Sequence, residues 1–306
     1  MRRERTRRRS TPRCLIALAA AISVVGLVGP GVASAAAPAR QLYVSLGDSY
    51  ASGYQPGVVP GESGNTRNGF AYQVPRFAAP RGHRLKLVNF GCGGATTTSL
   101  ISAKGCAPLA LGPGGQAYPD RTQLAAAAGF LRAHRGKVGL VTVSIGGNDV
   151  TRCASQPDPV GCVTSAIPVI RQNVTLIAKT LRRAAGPRVR IAGTTYPDVI
   201  LGAWVNGDSA SRDLASLSTV AFKTLINPAL KESYATAKAR FADVTAASGA
   251  YIPLDVVTTL RPYGTVPVAV ARVCELTYYC AHGDIHARTD GYALIARLVA
   301  AQLPRR

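Results

Sequence analysis

Acidic residues are scarce in this sequence: 15 Asp plus Glu stand against 36 Lys plus Arg in 306 residues, a net charge of +21. Such a balance points toward nucleic acid, an anionic membrane or an acidic polymer as partner. Aromatic side chains make up 6%, with one tryptophan, Trp204, and the only methionine is Met1. No internal repeat, long linker or low-complexity stretch follows residue 40, which excludes repeat arrays and leaves one domain. After the first 32 residues no run is long and apolar enough to cross a bilayer. What is present is 47% hydrophobic content, enough to bury a sizeable core, and this excludes disorder.

Part of the charge belongs to an N-terminal address. Residues 1–13 hold seven Arg, an apolar run follows from Cys14 to Val32, and Ala33-Ser34-Ala35 supplies the small-x-small pattern of a cleavage site. The spacing predicts a secretory signal peptide over 1–35 and a secreted, extracellular domain over 36–306. An uncleaved anchor is the rival, weakened by Gly26, Gly29, Pro30 and Gly31 inside the run. Arg7-Arg8-Arg9 lacks the rest of a twin-arginine pattern. The remaining chain carries 29 cations and 14 acids, a net +15.

Seven cysteines then become six once Cys14 is set aside, in local couples: Cys92 with Cys106, Cys153 with Cys162, Cys274 with Cys280. An even number in a secreted chain predicts disulfides, and nearest-neighbour pairing is favoured because each couple sits in one loop-like segment. Each bridge would stabilise by roughly 2–3 kcal/mol in the chain-entropy model. Cys274, Cys280, His282 and His286 also form a string of metal-binding residue types, but its spacing is not that of a structural zinc site.

Apolar, β-branched runs at Leu42–Leu46, Leu85–Phe90, Val138–Ile145 and Val189–Thr195, with a shorter one at Tyr251–Val256, read as buried strands. Helical spacing marks Phe70–Ala79, Thr122–Ala133, Ile167–Ala185, Ser209–Ala239 and Thr289–Gln302, the last presenting Leu294, Ile295, Leu298 and Val299 on one face. Strand–helix alternation of this kind predicts an α/β fold whose parallel sheet is covered on both sides, with function gathered at the carboxyl ends of the strands.

Four loops fall there. They are Gly47-Asp48-Ser49-Tyr50, Gly91-Cys92-Gly93-Gly94, Gly146-Gly147-Asn148-Asp149 and Gly283-Asp284-Ile285-His286. The second lacks the third glycine and the following acid of a dinucleotide fingerprint. Together the four supply an acyl-transfer site: Ser49 as nucleophile, His286 as base, and the N–H groups of Ser49 and Gly94 with the Asn148 amide as oxyanion donors. No G-x-S-x-G elbow surrounds Ser49, which argues against the ordinary α/β-hydrolase arrangement.

With these blocks in this order, the sequence resembles the SGNH, or GDSL, family of ester hydrolases over the whole chain after the signal. The resemblance implies a flavodoxin-like three-layer α/β/α sandwich around a parallel five-stranded sheet. It implies catalytic Ser49, Gly94, Asn148 and His286. The surroundings of Ser49 and the Cys274–Ile295 region look most like the secreted actinobacterial branch, which includes lipases, esterases and a phospholipase A1. One departure stands out. The family's acid lies three residues before the His, where this chain has Gly283, and Asp284 lies two before. A backbone carbonyl at or near Gly283 is the favoured partner for the imidazole, with Asp284 the alternative. On the favoured reading Asp284→Asn keeps a substantial fraction of activity.

The neighbouring polar residues have blander readings. Asp48 and Asp149 are expected to bond backbone N–H groups of their own turns, and His83 and His134 to be exposed or capping. His282 is the one competitor of His286. Gly53–Gly69 and Leu109–Asp120 are expected to shape an acyl pocket. The expected substrate is a small-molecule or lipid ester, the positive surface leaning toward peripheral contact with an anionic lipid interface. No cofactor, metal or nucleic acid is called for, and a monomer is expected. The alternatives are a carbohydrate (acetyl) esterase, disfavoured by the few aromatics, and a non-catalytic secreted binding protein, which has no need of the four blocks.

Overall fold

The computed structural model describes residues 39–57 and 64–306, so the signal read over 1–35, with Cys14, lies outside the described residues. The β-branched runs form Gln41–Gly47 (β1), Leu85–Asn89 (β2), Val138–Ser144 (β3) and Arg190–Thr194 (β4), and Arg240–Ala242 adds β5. All pair in parallel in the order β2-β1-β3-β4-β5. Parallel neighbours cannot be joined by a tight hairpin, so the chain returns through helices.

Side chains alternate across the sheet. Val44, Leu46, Val141 and Val143 meet the helices Gln123–Ala133, Pro159–Ala185 and Asn227–Ala235, while Tyr43 and Leu140 meet Phe70–Ala78 and Thr289–Ala301. The result is the three-layer α/β/α sandwich around five parallel strands. A third cluster, built on Leu201, Ala215 and Val266–Cys274, packs a hairpin, Val257–Leu260 with Gly264–Pro267, against the 3-10 segment Val199–Asn206.

The elements depart from the sequence pattern in four places. Tyr251–Val256 is not a strand; the fifth strand is the three-residue Arg240–Ala242, too short for its pattern to stand out. The helix expected from Ile167 begins at Pro159, because the Asp158 carboxylate accepts the Gly161 N–H and proline suits the first turn. The stretch Ser209–Ala239 splits into Ser209–Ala221, a π-helical turn Phe222–Ile226, and Asn227–Ala235 with Pro228 in its first turn. On the last helix the buried side is Tyr292, Ile295, Ala296 and Val299, while Leu294 and Leu298 are only partly covered.

Candidate active site

The carboxyl end of β1 runs into a single helical turn, Ser49–Ser52. Asp48 caps it by accepting the Tyr50 N–H at 3.0 Å, and Gly53 closes it in the left-handed region. Ser49 therefore opens the turn, and its own N–H finds no acceptor among the described residues. From the far end of the chain His286 Nε2 approaches Ser49 Oγ to 2.7 Å.

Asp284 Oδ1 accepts hydrogen bonds from His286 Nδ1 and from the His286 N–H, both at 2.8 Å. This corrects the sequence reading, in which a carbonyl near Gly283 holds the imidazole. Gly283 takes a left-handed conformation, φ 64°, and an Asp directly after it reaches the residue two ahead as an Asx turn, so a spacing of two serves where three was expected. Partial burial pushes the Asp284 carboxyl up, but the hydrogen bonds from His286 and the nearby imidazoles outweigh it and hold the group below the usual carboxylate range. His282 is exposed and makes no contact with Ser49.

Gly94 lies in the left-handed region, φ 78°, with no atom within 4 Å of where a side chain would begin, and its N–H has no acceptor among the described residues. The Asn148 amide donates to the Ala95 carbonyl at 2.9 Å, and Asn148 lines the cleft beside Ser49. Asp149, expected to brace its own turn, instead reaches across to the Thr97 N–H at 2.9 Å and the Thr97 hydroxyl at 2.6 Å. It thereby fixes the Gly94 block to the Asn148 block. Long-range pairing of this kind leaves no local signature in sequence.

Three tyrosines that the sequence reading passed over complete the surround. The Tyr50 hydroxyl donates to the Ile285 carbonyl at 2.7 Å, and the Tyr54 ring lies 4.4 Å from the His286 ring. Tyr196 donates to Asp48 Oδ2 at 2.5 Å and lies directly under Gly147, where any side chain would meet its ring at 3.0 Å. Tyr50 could have been noticed as the residue after Ser49; nothing in the sequence marks Tyr196. His83 is buried, its Nε2 2.8 Å from the Pro304 carbonyl, rather than exposed, whereas His134 caps its helix and stacks on Phe130.

Burial pushes the Asp48 carboxyl up to about 7, against the opposing pull of the Tyr196 and Tyr50 hydrogen bonds. A buried acid raised in this way favours the folded state most when both states are protonated, and that contribution is lost as pH rises from the ordinary value through about 7. The expected result for Asp48→Asn is a thermal midpoint that gains on the parent between pH 4 and 7 and holds its advantage above. A difference that stays flat with pH in differential scanning calorimetry would contradict a neutral buried Asp48.

The cysteines pair as Cys92–Cys106, Cys153–Cys162 and Cys274–Cys280, each within or beside a loop that carries a site residue. The last pair joins two sulfurs of the metal-like string to each other. Beside Ser49 opens a cleft of about 980 Å³, open solvent at its mouth included. Its floor is Ile170, Ile226 and Leu230, all buried; at its mouth Val160 and Leu217 are 40% and 44% exposed. Among the described residues of the Gly53–Gly69 and Leu109–Asp120 loops none lines it, residues 58–63 lying outside the described residues. The walls come from the 151–163 segment, Pro197–Ile200 and the face of Ser209–Ala221 that carries Leu214, Leu217 and Ala221.

A family model described as the GDSL-like lipase/acylhydrolase family matches residues 45–294, a span that contains all four loops. Among solved structures, the extracellular lipase of Streptomyces rimosus is 18% identical, with 85% of this chain and 98% of that chain covered and a TM-score of 0.48. An inhibitor-bound aryl esterase of M. smegmatis is 13% identical, with 86% and 97% covered and a TM-score of 0.43. An acetylxylan esterase of Geobacillus stearothermophilus is 16% identical, with 86% and 93% covered and a TM-score of 0.44. No curated protein sequence matches.

Proposed function

The chain belongs to the GDSL-like lipase/acylhydrolase family, and from that premise we propose that it is a secreted serine ester hydrolase of the lipase and esterase kind, acting on esters of aliphatic acids. The observation that carries the reading is the unbroken line Ser49 Oγ, His286 Nε2, His286 Nδ1, Asp284 Oδ1, with steps of 2.7 and 2.8 Å, at the mouth of an aliphatic cleft. Export is supported by the N-terminal pattern of 1–35 and by the three disulfides.

In the proposed reaction Ser49 Oγ attacks the ester carbonyl carbon as His286 Nε2 takes its proton, and Asp284 stabilises the resulting imidazolium. The oxyanion is received by the N–H groups of Ser49 and Gly94 and the free amide hydrogen of Asn148. His286 returns the proton to the departing alkoxide, leaving an acyl ester on Ser49. Water, deprotonated by His286, then releases the acid and restores the enzyme.

The chemistry of the cleft supports an aliphatic acyl side. Its walls are mostly Val, Ile, Leu and Ala, and its three rings, Tyr50, Tyr196 and Phe222, are all buried rather than laid open as a stacking platform for a sugar chain, which favours a fatty acyl chain over acetylated xylan. Each methylene laid along such a wall is worth about 0.8 kcal/mol, or roughly fourfold in kcat/KM. Across p-nitrophenyl esters the expected result is therefore a steep rise from acetate toward medium chains, with a fluorophosphonate probe labelling Ser49. Phosphatidylcholine and triacylglycerol in the same series separate phospholipase A1 from lipase activity. A preference for acetate, or an unlabelled Ser49 in folded protein, would remove the reading.

A further inference from the structure

The surplus of positive charge is concentrated at one edge of the sheet, and it is the edge opposite the cleft. In a parallel sheet all strands begin together, and here five turns deliver the chain to that edge: residues 79–85, 132–138, 182–190, 236–240 and 302–306. These turns hold thirteen Arg and Lys and no Asp or Glu, nearly the whole net charge of the chain after its signal. Every strand is led by a cation: Arg40 before β1, Arg84 before β2, Lys137 before β3, Arg188 before β4 and Lys238 before β5, all exposed. At about 4.8 Å between strands the row runs for about 19 Å.

Acids gather at the other edge. Asp48, Asp149 and Asp198 follow strands, and Asp158, Asp208 and Asp243 cap helix N-termini. Glu232, on a helix descending toward the cationic edge, is taken up by Arg171.

Helix-end chemistry accounts for part of this pole. Arg81, Arg135 and Arg182 donate to carbonyls at helix C-termini, as cations there commonly do. It does not account for Arg84, Lys137 and Arg188. Their side chains make no hydrogen bond or ion pair among the described residues, and the turns that carry them hold no Asp or Glu.

A free row of like charges lowers stability through self-repulsion, which an anionic partner would relieve. We infer that this pole is a binding surface for a linear polyanion bearing phosphate or sulfate groups. Guanidinium forks match those groups in pairs, and arginine outnumbers lysine eleven to two in the five turns. The pole offers no large exposed apolar side chain to enter a bilayer; Leu109, Val160, Leu217, Val220 and their like lie elsewhere. Seated in this way, the cleft faces outward, and the enzyme works on esters arriving from the medium rather than on the surface that holds it. The charge therefore says nothing for an anionic lipid substrate.

The test uses the full chain after its signal, fluorescent long-chain inorganic polyphosphate, phosphatidylglycerol vesicles, and a triple variant Arg84→Glu, Lys137→Glu, Arg188→Glu. Polyphosphate binding is expected to weaken with rising salt, to fall at least tenfold in the variant, and to lose about two to three from its log–log salt slope. Turnover of a soluble ester by the variant is expected to stay at the parent level, which also reports that it folds. Prior covalent labelling of Ser49 is expected to leave binding unchanged. Equal binding by the variant, competition with the Ser49 label, binding to vesicles but not to polyphosphate, or no binding at physiological salt would each overturn the inference.

Discussion

Replacing Asp284 by Asn is expected to lower kcat on a soluble p-nitrophenyl ester by about 10³- to 10⁴-fold, with KM little changed. The carboxylate does two things that an amide cannot. It accepts from His286 Nδ1 at 2.8 Å, which leaves Nε2 without a proton and facing Ser49 Oγ at 2.7 Å. It also sets a full negative charge beside the imidazolium as that charge develops. An Asn amide can turn its NH₂ toward the ring and stabilise the opposite tautomer, with the proton on Nε2, where it cannot take another from serine. The backbone bond from the His286 N–H to Asp284 Oδ1, also 2.8 Å, is one that Asn reproduces, so the turn and the thermal midpoint should survive. Because Asp284 is held below its ordinary range, its stabilising contribution is intact above the ordinary carboxylate value of 3.8 and is lost only as pH falls below it. Loss of activity on the acid side above that value is then not the protonation of Asp284. A variant within tenfold of the parent would restore the carbonyl reading and make Asp284 a turn residue only.

That reversal shows where sequence stops informing. Ser49, Gly94, Asn148 and His286 were legible because each stands in a short glycine-bearing loop directly after a strand or before a helix, and strand ends can be located from β-branched runs. Sheet and layers followed from alternation of apolar strands with helical stretches. The partner of His286 was not legible, since it depends on the backbone conformation of one residue, Gly283, which rotates Asp284 into reach. Neither were Asp149 on Thr97 or Tyr196 on Asp48, pairs 52 and 148 residues apart whose meeting is a property of the packed sheet. The described lining of the cleft beside Ser49 was not legible for the same reason. Loops rich in glycine and proline near the site attracted the reading, while the actual walls come from helices that read as ordinary amphipathic elements, including a π turn that periodicity treats as continuous helix.

Gly47→Ala is expected to cost about 4 kcal/mol or more, lowering the thermal midpoint by about 8–16 °C, and to abolish hydrolysis where protein remains folded. Gly47 ends β1 at φ 135°, a conformation that side chains rarely adopt, and a Cβ there would stand 1.9 Å from the Ser144 carbonyl oxygen of β3. That oxygen cannot swing away, because it accepts the Asp48 N–H at 3.0 Å in the central strand pair of the sheet. The Gly47 peptide is also clamped: its N–H donates to Gln123 Oε1 at 2.7 Å, and its carbonyl accepts from Gln123 Nε2 and from the Cys92 N–H, both at 3.0 Å. Making room would part β1 from β3 by about 1 Å and carry Ser49 and the Gly94 block with it, enough to disturb the 2.7 Å contact with His286. Gly94→Ala is the internal control. Its φ of 78° is comparably unfavourable for a side chain, but the space beside it is empty, so only backbone strain of about 1–2 kcal/mol should appear. Urea titrations of the two variants separate the causes: equal losses would mean that conformation alone matters at Gly47, whereas a much larger loss at Gly47 assigns the difference to its contact with the Ser144 carbonyl.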